Sequence, residues 1–179
     1  MLDIAVAYRR YQFVGDEFLT WLWYTIENNR PLLRTIDPDL AALEIGNRMV
    51  LVNRYRKDND ETVTIKGDDA DMDEGLLALK KGAMVAEVNL VYRSADREWR
   101  FNLKGESLNF SSLRVPETGK IETREEIEGA VIDKIYLLEK VVGLMNGLFA
   151  QFIKLRVSND WSAKTVPAIR KWISTLQTG

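Results

Sequence analysis

The chain has 179 residues, a formal net charge of −2 and an ordinary apolar content of 46%, which predicts one domain over residues 1–179. It contains no cysteine and no histidine. Disulfides, thiolate nucleophiles, Ser-His-Asp triads and zinc sites of the usual Cys/His type are therefore excluded.

The first predicted element is an aromatic helix from about residue 16 to 28. Asp16 is a candidate N-cap, and Glu17 suits the positive end of the helix dipole. The apolar arc of this helix is about 200° wide, so we expect it to lie between two elements or to join a subunit contact. Core packing is the favoured interpretation, with Trp21 and Tyr24 the aromatic residues expected to reach an interface.

Alternating apolar and polar residues then predict an antiparallel sheet of about five strands. The expected strands are Arg48 to Tyr55, Glu61 to Lys66, and residues 84–93, 97–104 and 107–113. A short helix before Gly82 separates the first two strands from the last three.

A long helix is predicted from about residue 123 to 157, about 52 Å in length, and we expect that it could project from the domain. One apolar stripe contains Ile127, Val131, Ile135, Leu138, Val142, Met145, Phe149 and Phe152, and a second contains Val141, Leu144, Leu148 and Leu155. A last helix is predicted from Trp161 to Leu176, with Pro167 bending it. The predicted class is therefore α+β, a sheet flanked by the aromatic helix and a long C-terminal helical hairpin.

Gly143 and Gly147 are four residues apart on the long helix. Each costs about 1 kcal/mol relative to alanine, so a close backbone approach would explain them. That approach would lie either within the chain or across a homodimer. Two tolerated glycines without a partner are an equally good interpretation.

No cofactor or metal site is predicted. Asp69, Asp71 and Asp73 imitate the start of a calcium loop, but Glu74 and Lys80 occupy positions that require Gly and Glu. We interpret these acids as helix capping. No lysine has an acid two positions before it, as a metal-dependent nuclease motif would require, so no catalytic residue is assigned.

The polar side of the predicted sheet is the main candidate site. Its expected nucleic-acid-binding residues are Arg54, Arg56, Lys66, Arg93, Arg100 and Lys104, accompanied by Asn89 and Asn102. Such cations would bind phosphates without reading bases. Glu87 and Glu98 interrupt the set, so a solvated face with cross-strand ion pairs is the competing interpretation.

Several stretches resemble RdgC-like recombination-associated proteins: GDEFLTWLWY (15–24), LEIGNRMVL (43–51), EGLLALKKG (74–82), REWRFNLKGESLNFSSLRVP (97–116), LEKVVGLMNGLFAQFIKLR (138–156) and VPAIRKWI (166–173). The resemblance implies DNA binding without strong sequence preference, ring-like dimers and restraint of strand-exchange recombination. Some relatives are labelled exonucleases. This chain is short for the family, which leaves ring formation in doubt, and no catalytic residue is carried over.

Two hypotheses follow from different classes. The first is a non-enzymatic, sequence-neutral DNA-binding protein that modulates recombination, and the alternative is a protein-interaction or oligomeric scaffold subunit. A magnesium-dependent nuclease is a weaker third, since no spacing supports it. No apolar run reaches the roughly 18 residues that cross a bilayer, and the start MLDIAVAYRRYQFVGD lacks a signal-peptide pattern. We therefore expect a cytoplasmic protein without a membrane partner.

Overall fold

A computed structural model describes residues 13–53, 61–67, 72–119 and 123–175. The helices are α1 (Phe13–Asn28), α2 (Arg30–Ile36), α3 (Met72–Lys80), α4 (Arg124–Arg156) and α5 (Val166–Thr175). The strands are β1 (Leu40–Asn53), β2 (Glu61–Lys66), β3 (Met84–Ser94), β4 (Arg97–Lys104) and β5 (Phe110–Arg114). The strand order is β2-β1-β3-β4-β5 and every pairing is antiparallel. The predicted α+β class is confirmed.

The sheet has two chemically different faces. Leu90 lies opposite Phe101 and Tyr92 opposite Trp99, and these side chains are buried. The intervening residues face the other way, as in the pair formed by Arg93 and Glu98. Because successive side chains alternate across a strand, one register separates the apolar core from the polar face.

The aromatic helix α1 packs on the core face of the sheet and also contacts α4 and α5. Phe18 meets Phe149 edge-on with ring centroids 5.1 Å apart, and Trp23 meets Trp172 in the same manner at 5.2 Å. The sheet on one side and the C-terminal helices on the other account for the wide apolar arc.

The N-terminal turn of α1 meets the turn between β4 and β5 backbone to backbone. A Cβ atom on Gly15 would lie 1.7 Å from the carbonyl oxygen of Gly105, so only glycine fits there. Further along α1, the hydroxyl of Thr20 accepts a hydrogen bond of 3.0 Å from the backbone N–H of Val85. This buried bond ties α1 to the start of β3.

The starts of three elements differ by at least three residues from those predicted. The helix α1 begins at Phe13, so Asp16 lies in its first turn and is not the N-cap. The strand β1 begins at Leu40, well before the predicted start at Arg48, because an irregularity between Ile45 and Met49 hides the alternation of the strand. The last strand begins at Phe110 and not at residue 107.

The predicted last helix changes its hydrogen-bonding pattern near its start. A π-helical turn at Trp161–Thr165 precedes α5, and Pro167 lies in the first turn of α5. Pro167 lacks an N–H group, and it lies directly after the π-helical turn, where the backbone hydrogen bonds already depart from the α-helical pattern. The bend predicted at Pro167 stays a prediction.

Candidate binding surfaces

The polar side of the sheet forms a continuous surface, which we call the open sheet face. It is formed by Glu44, Arg48, Lys66, Glu87, Asn89, Arg93, Glu98, Arg100, Asn102, Lys104 and Arg114. The described helices contact the sheet through its core face, where the buried apolar side chains lie. Cations outnumber carboxylates on the open sheet face.

A cluster of ion pairs occupies the middle of this face. Arg93 contacts Glu44 at 2.7 Å and Glu98 at 2.8 Å, and Arg100 contacts the other oxygen of Glu98 at 2.7 Å. The hydrogen bonds from Arg100 and Arg93 hold the pKa of Glu98 below its usual range. Hydrogen bonds to Glu98 and, to a smaller extent, to Glu44 raise the pKa of Arg93. Two predicted phosphate ligands are therefore partly neutralised, as the competing interpretation expected.

Three exposed cations of the open sheet face have no carboxylate within ion-pair distance among the described residues. They are Lys66, Lys104 and Arg114. Lys104 lies opposite Glu87 in the strand register, but Glu87 contacts Arg48 at 3.7 Å. These cations remain available to an external anion.

The other two predicted phosphate ligands, Arg54 and Arg56, lie outside the described residues, as do Asp69 and Asp71 of the rejected calcium loop. Arg114 was missed by the sequence prediction. A register shift in the pairing of β4 with β5, at Ser112 with a φ of 53°, brings Arg114 opposite Arg100. Simple alternation contains no signal of such a shift.

The asparagines of the face have a structural role. Asn89 donates to Asn102 at 2.7 Å, and its carbonyl oxygen accepts from the backbone N–H of Asn47 at 3.3 Å. A Cβ on Gly46 would lie 1.9 Å from that oxygen. Asn89 thus stabilises the irregular part of β1, which orients Glu44 toward Arg93.

Of the four residues predicted at an interface, the two aromatic ones, Trp21 and Tyr24, differ in burial. Trp21 is only 2% exposed and packs against Phe18 and Phe152, so its contacts lie within the chain. Tyr24 is half-buried and meets the ring of Trp172 at 5.6 Å.

The two glycines predicted at an interface, Gly143 and Gly147, also differ in their surroundings. A Cβ on Gly147 would lie 2.6 Å from Cγ2 of Ile36, so this glycine permits close packing of α4 on α2. A Cβ on Gly143 would meet no atom within 4 Å.

The N-terminal part of α4 is a second accessible surface, the projecting segment (residues 124–136). Its described side chains are exposed except for half-buried Ala130, and burial begins at Leu137. A capping box starts the helix: Glu126 accepts from the N–H of Thr123 at 3.0 Å, and Thr123 accepts from the N–H of Glu126 at 3.4 Å. The segment is a formed helix that leaves the domain.

Apolar residues run along this segment and into the next turns of α4. Their exposed fractions are 48% for Ile127, 52% for Val131, 66% for Ile132, 49% for Ile135, 42% for Leu138 and 41% for Val142. The second predicted stripe, from Val141 to Leu155, packs on the core instead. A row of exposed apolar residues on one helix is typical of a protein contact surface.

A partly buried polar network joins three elements on the helical side. Asp37 accepts a hydrogen bond of 2.5 Å from the hydroxyl of Tyr92, and Lys140 contacts Asp37 at 3.3 Å and Asp39 at 3.2 Å. Burial and the bond to Asp37 raise the pKa of Tyr92 well above its usual value. Each of these side chains has a hydrogen-bond or ion-pair partner within the chain. We therefore interpret the network as a contact that stabilises the packing of α4 on the sheet.

In the described part of the chain, no group of three or more acidic residues is close enough to hold a metal ion. Within the same residues, no helix is long and apolar enough to cross a membrane.

The fold and these surfaces define an α+β protein with an open, cation-rich sheet face and a projecting helix. Neither the models of known protein families nor the curated proteins give a match to this chain.

Proposed function

We propose that this protein is a non-enzymatic, sequence-neutral DNA-binding protein that modulates recombination in the cytoplasm, and that the open sheet face contacts the DNA backbone. One observation supports this most: Lys66, Lys104 and Arg114 are exposed on that face without a described carboxylate partner. The resemblance to RdgC-like proteins supports the same class of ligand.

The dimensions of the face suit a duplex. Five strands spaced about 4.8 Å apart give a surface roughly 20 Å across, and the cations lie on several of these strands. The major groove is about 12 Å wide. Cations spaced over such a face reach the phosphates on both sides of the groove without entering it, so they carry no information about base sequence.

The carboxylates of the face set the strength of binding. Glu98 and Glu44 occupy Arg93, and Glu98 also occupies Arg100. A polyanion must compete with these acids, so we expect weak binding, with a dissociation constant of roughly 10⁻⁴ to 10⁻⁶ M at physiological salt. With about three free cations, the logarithm of the association constant should fall by about three per tenfold increase in salt.

The test is a fluorescence-anisotropy titration of labelled duplex and single-stranded DNA of mixed sequence across a series of salt concentrations. The triple variant Lys66→Glu, Lys104→Glu and Arg114→Glu should bind much more weakly, and its salt slope should fall by about one per cation removed.

The matched control reverses three exposed cations on the helices: Arg34, Lys154 and Lys171. It changes the net charge by the same amount but leaves the open sheet face intact. The proposal is rejected if both triple variants lose affinity equally, or if the natural chain binds no DNA at low salt.

The exposed apolar residues of α4 favour a second candidate function, a protein-interaction or oligomeric scaffold subunit. The residues from Ile127 to Val142 provide a contact surface that needs no nucleic acid. A partner that binds with equal affinity in the presence of excess DNA, together with no DNA binding by the natural chain, would favour this function over the first.

A further inference from the structure

The exposed apolar residues of α4 follow the spacing of a coiled coil. Val131, Ile135, Leu138 and Val142 are separated by four, three and four residues, which is the alternation of core positions in a heptad repeat. Ile135 and Val142 then occupy position a, and Val131 and Leu138 occupy position d. β-Branched residues at a and leucine at d favour two strands.

We propose that the occupant of this surface is a second copy of the chain, whose α4 packs parallel to the first and in register. This inference is independent of nucleic-acid binding. It uses exposed residues that have no role in the core of the chain, and it does not involve Trp21 or Gly147.

Flanking charges select the parallel orientation. In a parallel pair, each residue at position g meets the residue five positions later on the partner, at position e. Lys134 therefore faces Glu139 of the second copy, and Ile127 faces Ile132 of the second copy. All four residues are exposed in one chain. At these flanking positions cation meets carboxylate and apolar meets apolar, and each contact occurs twice because of the two-fold symmetry. Glu128, at the preceding position a, would face its own copy and therefore marks the end of the apolar seam.

The antiparallel arrangement of the same core places unlike residues together. Val131 would lie opposite Val142 of the second copy, and the e positions would face one another, so that Ile132 meets Glu139. Lys134 would then approach Val141, which is fully buried in its own domain. This arrangement forms no cross-chain ion pair and brings an apolar residue against a carboxylate.

The helix is preformed, which compensates for the shortness of the seam. Short coiled coils usually associate weakly because each strand must first become helical. Here the capping box at Thr123 and the packing from Leu137 onward hold α4 in a helix before association. We therefore expect a dimer with a dissociation constant in roughly the micromolar range.

The first test is sedimentation equilibrium of the full chain over about 1 to 200 μM protein. The natural chain should convert from monomer to dimer across this range. Ile135→Glu should be monomeric throughout, with an unchanged circular dichroism spectrum, because residue 135 is exposed in the single chain. Tyr136→Glu is the matched control, since Tyr136 is also exposed but lies off the seam, and it should still dimerise.

Charge exchange tests the partner and its orientation. Lys134→Glu and Glu139→Lys should each weaken the homodimer by at least about fivefold, because like charges then face one another. An equimolar mixture of these two variants should restore dimers, since each cross-chain pair is again one cation and one carboxylate.

Cross-linking gives an independent test of register. The chain has no cysteine, so Val131→Cys introduces a single thiol. A parallel dimer brings the two introduced thiols together, whereas an antiparallel dimer holds them about 16 Å apart along the helix. Rapid disulfide formation supports the proposal. A monomer at all concentrations, or a dimer that neither cross-links through residue 131 nor responds to charge exchange, would overturn it.

Discussion

Trp99 and Leu137 are joined by a hydrogen bond of 2.9 Å, in which the indole Nε1 of the strand residue donates to the backbone carbonyl of the helix residue. Both residues are 2% exposed. The bond lies where α4 passes from the projecting segment onto the domain. It therefore fixes how much of α4 remains free for a partner.

Replacing Trp99 by Phe should destabilise the protein more than replacing Trp23 by Phe. Both indoles are buried, at 2% and 1% exposure, and both changes remove the same atoms. In the described part of the chain the Nε1 of Trp23 has no hydrogen-bond partner, so only the Trp99 variant loses a bond. We expect its free energy of unfolding, measured in urea, to fall by about 1 to 2 kcal/mol more. Equal losses would contradict this role for the bond.

The two glycines of α4 should respond to alanine in opposite directions. Gly147→Ala places a methyl group against the branched side chain of Ile36 and should cost about 1 to 3 kcal/mol. Gly143→Ala meets no atom within 4 Å and should stabilise the helix by about 0.5 to 1 kcal/mol. Thermal unfolding of the two variants checks the difference, and destabilisation by both would show that α4 packs differently.

Lys140→Met should destabilise the protein by about 1 to 3 kcal/mol, because it removes the cation from the buried carboxylate of Asp37. The side chains of Lys140 and Asp37 are 19% and 10% exposed. Lys154→Met is the matched control on the exposed side of the same helix, with an expected change within about 0.5 kcal/mol. Similar urea denaturation midpoints for the two variants would show that this network does not contribute to the stability of the fold.

The same network predicts a loss of stability in alkaline solution. Burial lowers the pKa of Lys140, but the bonds and charges of Asp39 and Asp37 outweigh it and the pKa is raised. The pKa of Tyr92 is also raised. A group whose pKa is higher in the folded state than in the unfolded state contributes its full stabilisation of the fold at pH values below its unfolded-state pKa, which is about 10 for both residues. This contribution is lost as the pH rises further.

Urea denaturation at a series of alkaline pH values checks this sign. The natural chain should lose stability above about pH 10, and Tyr92→Phe should lose less over the same interval because it lacks the phenol. An identical alkaline dependence in the two proteins would show that Tyr92 contributes nothing to it.

Local periodicity was enough to predict much of the sheet. The strand β4 lies at residues 97–104 as predicted, and β3 exceeds its predicted end at 93 by one residue. Alternation from Val88 to Lys104 also gave the correct face to Arg93, Arg100 and Lys104. Such patterns are dominated by the separation of core from solvent, which a single sequence records.

Contacts between distant segments were not predictable in the same way. Glu44 reaches Arg93 only because β1 continues past the irregular segment at Gly46, where the sequence pattern is broken. The pairing of Arg48 with Glu87 also depends on that register. The balance of charge on the open sheet face was therefore set by strand pairing, which composition and spacing do not specify.

The most direct test of DNA binding removes a carboxylate from the open sheet face. Glu98→Gln should release Arg100 and leave Arg93 with Glu44 as its carboxylate partner, adding about one cation to the three already free. A gain of affinity is informative because a misfolded variant would lose affinity instead. Glu27→Gln, an exposed position on α1, is the charge-matched control.

The measurement is the dissociation constant of a mixed-sequence duplex for the three proteins at several salt concentrations. Glu98→Gln should bind more tightly than the natural chain at low salt, with a salt slope steeper by about one, while Glu27→Gln should match the natural chain. If Glu98→Gln binds no more tightly than Glu27→Gln, the open sheet face is not the surface that contacts DNA.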